Sequence, residues 1–96
     1  MKRATDIKEI KKRVLPILKP YATRAGLFGS AARGEATEKS DIDILVEIKK
    51  PIGLFEFVRL ERKLGEALGR RVDLIERSTL KPRIKPYVTK DYLPLL

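Results

Sequence analysis

Residues 27–47 read LFGSAARGEATEKSDIDILVE. At the end of this stretch residues 41–48, DIDILVEI, alternate: Ile42, Ile44, Val46 and Ile48 fall on one face, Asp41, Asp43, Leu45 and Glu47 on the other. A period of two is that of a half-buried strand. Upstream, the apolar segment Ala25 to Phe28 reads as a buried strand running into Gly29-Ser30. Gly29 to Arg33 reads as a turn opening a short helix, with Gly34 as its stop. Downstream, after a Pro51/Gly53 break, Leu54, Phe57, Val58, Leu64, Ala67 and Leu68 recur at helical spacing, and Gly69 stands where a C-cap glycine belongs. Residues 71–76, RVDLIE, form a third alternating strand, with Val72 and Leu74 set against Asp73 and Ile75. The chain opens on a helix with Thr5 as N-cap, followed by Asp6. Ile7, Ile10, Val14 and Leu18 share one face of it, Pro16 kinks or shortens it, and Pro20 ends it. From Ser78 the tail carries Pro82, Pro86 and Pro94, so a short helix or irregular wrap is expected. The order αβαβαβ gives an α+β fold, a small mixed sheet with helices.

Ninety-six residues fit one domain spanning 1–96. At 43% hydrophobic and 36% charged the chain has the makings of a core, and no run of uncharged residues is long enough for a membrane helix. The basic start MKRATDIKEIKKR lacks the apolar stretch of a secretory signal, so a cytoplasmic protein is expected. Cysteine and histidine are absent. Catalysis therefore has to run on carboxylates, hydroxyls, Lys, Arg or a metal held by oxygen. Asn, Gln and Trp are missing too, and with the Lys/Arg/Glu load this resembles a composition selected at high temperature. The net charge of +9 is uneven: residues 1–25 carry eight basic and two acidic side chains, residues 77–96 five and one, and the centre nine and ten. A nearly neutral centre between basic flanks weakens the nucleic-acid reading that a basic chain invites.

The centre holds the chemistry. Asp41 and Asp43 leave the same face of one strand about 7 Å apart at Cα. Like charges so close call for a cation, and Mg²⁺ takes one or two carboxylates together with waters and substrate phosphates. If the third strand neighbours the second, Asp73 completes the set, and three carboxylates on one sheet face suit a two-metal phosphoryl or nucleotidyl transfer. Gly29 and Ser30, at a helix opening, offer backbone amides and a hydroxyl to phosphate oxygens, and Arg33 one turn on can add a charged contact. Each residue also has a plainer reading. The aspartates can be a solvated face, Asp73 the partner of a nearby Lys or Arg, Gly29-Ser30 a turn, and Arg33 a surface ion pair.

Phe28-Gly29-Ser30, then Asp41-Ile42-Asp43-Ile44, then Val72-Asp73-Leu74 resemble the signature of the polymerase-β-like nucleotidyltransferase superfamily. The longer string 27–47 resembles its minimal nucleotidyltransferases of bacteria and archaea, over roughly residues 5–90. The resemblance implies a polymerase-β palm-like fold. It further implies that Asp41 and Asp43 bind Mg²⁺, that Asp73 serves the catalytic metal and helps deprotonate the attacking hydroxyl, and that Gly29, Ser30 and Arg33 hold ATP. Two Mg²⁺ ions are implied. Members are commonly encoded beside an all-helical HEPN protein, usually a ribonuclease toxin. The implied function is a type VII antitoxin that transfers AMP from ATP onto a tyrosine of that toxin. One departure is Ala31, where relatives often carry an aromatic residue after Gly-Ser.

A second reading is a non-catalytic antitoxin or binding module that silences its partner by occlusion. A third is a small basic RNA-binding domain. The aromatic residues oppose the third: Phe28, Phe55 and Phe57 fall on expected buried positions, and Tyr21, Tyr87 and Tyr92 are too scattered for a stacking platform.

Overall fold

The computed structural model describes residues 6–35, 37 and 40–96. Helix α1 spans Ile7–Leu18 and is capped by Asp6, whose carboxylate accepts from the Lys8 amide at 2.9 Å. Thr5, the expected cap, lies outside the described residues. Ile10, Val14 and Leu18 are fully buried along one stripe of α1. Pro16 does not stop the helix, which runs on to Leu18. Both Pro16 and Lys12, whose carbonyl would have received the missing amide, stand on the solvent side, where that carbonyl is open to water.

Strand β1 (Ala22–Phe28) begins three residues earlier than its apolar core suggested, because a register shift between Ala22 and Arg24 breaks the alternation. Helix α2 (Gly29–Ala32), strand β2 (Ile42–Ile48), helix α3 (Leu54–Leu68) and strand β3 (Val72–Glu76) follow where the patterning placed them. Gly69 ends α3 with φ at 65°, the left-handed conformation that makes glycine the favoured residue after a helix. The tail holds a 3₁₀ turn (Arg77–Thr79), helix α4 (Lys85–Thr89) and a strand that the sequence did not disclose, β4 (Leu93–Pro94).

The sheet order is β3-β2-β1-β4. β1 is antiparallel to both β2 and β4, while β2 and β3 are parallel and joined by α3. Helices α1 and α3 cover one face, and the core between them includes Leu27, Ile42, Ile44, Leu60, Leu64 and Leu68. Each buried leucine of α3 contributes about 1.5–3 kcal/mol. Arg13 adds a polar tie: its Nε donates to Glu9 at 3.0 Å and its Nη1 to the Ala67 carbonyl at 3.3 Å, joining α1 to the end of α3. That arginine of the basic flank therefore serves the fold.

Phe55 departs from expectation. It is 83% exposed, because at about 100° per residue it sits half a turn around α3 from Leu64. Leu45, on the aspartate-bearing face of β2, is instead buried at 2%. Its register partner is Gly26, and the Tyr92 ring lies against Gly26 so closely that a Cβ there would fall 2.4 Å from it. The returning tail thus covers the middle of this face and leaves the end that carries Asp41 and Asp43 open. At the outer edge of β3, the Leu74 amide donates to Glu61 Oε2 of α3 at 2.8 Å. Among the described residues, no helix is long and apolar enough to cross a membrane.

Candidate active site

Parallel pairing of β2 and β3 sets Asp43 directly opposite Asp73, and antiparallel pairing of β1 and β2 sets Asp43 opposite Phe28. The condition for a shared carboxylate site, that the two strands be neighbours, is met in register. Phe28 delivers the chain into Gly29, whose φ of 69° lies in the left-handed region. A Cβ at Gly29 would stand 2.7 Å from Asp43 Oδ2. Glycine is required there on two counts, backbone conformation and the closeness of the carboxylate.

Burial raises the Asp43 pKa above its ordinary value, and the charges of Asp73 and then Asp41 raise it further, as does a hydrogen bond that protonated Asp43 donates to Asp73. Asp41 lies just before β2, at the exposed mouth of the site. Arg71 reaches between the outer carboxylates, with its Nε 3.9 Å from Asp41 Oδ2 and 3.8 Å from Asp73 Oδ1. At 77% exposure this side chain makes only loose pairs. Among the described residues no cluster of three or more carboxylates is drawn in tightly enough to grip a metal ion by itself. The expected triple therefore resolves into a close pair, Asp43 and Asp73, with Asp41 alongside. A carboxylate pair that repels itself, all oxygen and open on one side, still fits Mg²⁺, which binds through one or two carboxylates and completes its shell with water and phosphate.

Arg33 points elsewhere. Its Nε donates to Glu35 Oε2 at 3.2 Å and its Nη1 to Asp91 Oδ2 at 3.1 Å. These bonds, the Glu35 one first, raise its pKa and hold it in a surface network that ties the end of α2 to the tail. Two arginines of the site escaped sequence reading. Arg71 is one. The other is Arg70, only 8% exposed, which donates through Nη2 to the carbonyls of Thr37 and Ser40 and so fastens the approach to Asp41. A pair of arginines before a strand carries no periodic signal that would separate a buried one from a solvated one.

The nucleotidyltransferase domain family matches residues 7–95. The chain belongs to that family. A relative of this nucleotidyltransferase in Methanocaldococcus jannaschii, named for protein adenylyltransferase activity, is 40% identical over 92 residues, which are 95% of this chain and 99% of the relative. The protein adenylyltransferase MntA of Thermococcus cleftensis is 47% identical over 66 residues, 69% of this chain and 67% of the relative. Among solved structures, a minimal nucleotidyltransferase superposes with a TM-score of 0.80 at 36% identity, covering 92% of this chain and 91% of the other. A toxin-antitoxin structure with AMP-PNP gives a TM-score of 0.79 at 26% identity, covering 90% and 72%. The expected enzyme class and fold class are both borne out.

The carboxylate pair gives this nucleotidyltransferase a testable pH signature. A carboxyl whose pKa is raised by folding stabilises the folded state below its ordinary pKa, and that contribution is lost as pH rises through the raised value. In chelator, the wild type should therefore lose stability relative to Asp43→Asn as pH climbs out of the ordinary carboxylate range. The variant should melt above the wild type at neutral pH, and the gap should narrow toward pH 3.5. Thermal unfolding of both proteins between pH 3.5 and pH 7.5 is the measurement, and equal differences at both ends would count against a repelling pair.

Proposed function

We propose that this chain transfers AMP from ATP to a hydroxyl of a partner protein, a tyrosine of an all-helical HEPN toxin encoded beside it, and so acts as an antitoxin. The observation that carries this reading is the register of Asp43 with Asp73 beside the Gly29 turn. The names of the relatives support AMP as the group moved, and the toxin-antitoxin structure with AMP-PNP supports a nucleoside triphosphate and a toxin partner.

In this reaction Asp43 would be the principal holder of Mg²⁺, with Asp41 contributing at the mouth and Asp73 on the acceptor side. Bound there, Mg²⁺ supplies charge to polarise the α-phosphate and to neutralise the departing pyrophosphate. The Gly29 amide and the Ser30 hydroxyl orient the triphosphate. Arg33 joins them on exchanging Glu35 and Asp91 for a phosphate oxygen, a partner that carries charge of the same sign. The acceptor oxygen attacks the α-phosphorus, the bond to the β-phosphate oxygen breaks, pyrophosphate leaves, and the hydroxyl proton passes to Asp73. Asp73 suits that role because β3 is the sheet edge and the residue borders an open groove.

Co-production of the chain with its chromosomal neighbour, followed by ATP, Mg²⁺ and intact mass spectrometry, tests the proposal. One or more AMP additions to the neighbour, mapped to tyrosine by peptide fragmentation, are expected. A neighbour that is bound and silenced yet unmodified would support the occluding antitoxin instead.

A further inference from the structure

The stripe of α3 that builds the core uses one side of the helix and leaves the opposite side of its first turns bare. Leu54 is 75% exposed, Phe55 83% and Val58 44%. Large apolar side chains grouped in solvent within a charged rim mark a surface that another molecule covers. With Arg59 and Arg62 they form a depression of about 390 Å³. Val58 and Arg62 also line the adjoining groove of about 470 Å³, whose other wall includes Arg71 and Asp73. The bare patch and the residue assigned to the acceptor therefore border one continuous surface. From Leu54 to Gly65, on the groove's wall, is about 16 Å at 1.5 Å per residue.

We propose that this surface docks the acceptor protein, through an amphipathic helix whose apolar side covers Leu54, Phe55 and Val58 and whose acidic flank meets Arg59 and Arg62. The inference rests on the transfer reaction proposed above and specifies how its acceptor is presented. Charge selects the occupant. A second copy carries the same net charge of +9, and two such chains repel each other as whole molecules, which disfavours pairing. An acidic partner gains from the same cations. Shape selects a helix, because the patch and groove run along α3, and a helix lying there keeps contact at successive turns. A strand has no such opening, since the Leu74 amide at the adjacent edge is already bonded to Glu61.

The test uses the full chain and the protein encoded beside it, purified separately. Wild type, Phe55→Asp, Phe55→Leu and Val58→Glu are compared. The partner concentration giving half-maximal AMP incorporation should rise at least about 30-fold for Phe55→Asp and Val58→Glu, as truncating an interface anchor commonly does, and stay near the wild-type value for Phe55→Leu. The rate at saturating partner should hold. Calorimetric ATP affinity equal across the set reports an intact nucleotide site, and because both positions are exposed the substitutions leave the core untouched. Unchanged half-saturation with AMP incorporation intact would overturn the docking surface and leave the reaction standing. If the wild type adds no AMP, the reaction fails. Calorimetric binding of the two proteins then decides the surface: binding lost in Phe55→Asp upholds it, and binding retained, or absent already in the wild type, overturns it. A wild-type dimer in sedimentation that Phe55→Asp dissolves would give the patch to a second copy and likewise overturn the proposal.

Discussion

Replacing Asp43 with asparagine is expected to lower AMP transfer by about 10³-fold or more while raising the thermal stability of the metal-free protein. The two effects have one cause. Asp43 lies between Gly29 and Asp73, partly shielded from water, and its charge is unfavourable until a cation arrives. Asparagine keeps the shape and removes the charge, so the fold is relieved of a repulsion. The same change removes an anchor for Mg²⁺ and with it the stabilisation of charge developing on the phosphates, a contribution that in preorganised sites reaches about 10²–10³-fold for one group. Loss of triphosphate positioning adds to it. Stability gained at the expense of function is the pattern of a site held under electrostatic strain. Calorimetry with ATP and Mg²⁺, together with transfer kinetics, gives the measurement. ATP affinity equal in the two proteins, with and without metal, would defeat the assignment of Asp43 as a metal ligand.

Asp73→Asn should separate binding from chemistry. ATP affinity is expected to stay within about threefold of the wild type, while kcat for transfer falls by about 10²–10⁴, the range for losing a positioned general base. The difference from Asp43 follows from position in the sheet. Asp43 is on the inner strand beside the glycine turn, where the proposed reading puts the triphosphate, and Asp73 is on the edge strand beside the groove, where it brings in the acceptor. An interaction made chiefly in the transition state lowers kcat and kcat/KM together. A fall in affinity matching that of Asp43→Asn would instead make Asp73 an equal metal ligand, and unchanged transfer would leave it a partner of Arg71 alone.

Much of this was legible because hydrophobic period and site spacing agree. The alternation of residues 41–48 defines β2 and puts Asp41 and Asp43 on one face, and the leucines of α3 define the crossover that brings Asp73 alongside. Three features were not legible, each for a physical reason. β4 is two residues long and contains Pro94, and so short an edge strand has no period to read. Phe55 is apolar at a position that the helix turns outward. Arg70 and Arg71 are adjacent and alike in sequence, and only the folded loop makes one a buried clamp and the other a loose neighbour of two aspartates.

The bond from the Leu74 amide to Glu61, in the middle of β3, has a consequence for the sheet as a building material. A strand from another molecule could lengthen the sheet only by taking up outward amides, and here the central one is occupied by a carboxylate of the same chain. On the opposite margin β4 presents Pro94, which has no amide to give. Neither margin is a template for growth. Copies of this chain crowded together therefore meet blocked sheet margins rather than a seed for fibrils, and the ways open to joining another chain are those that use side chains.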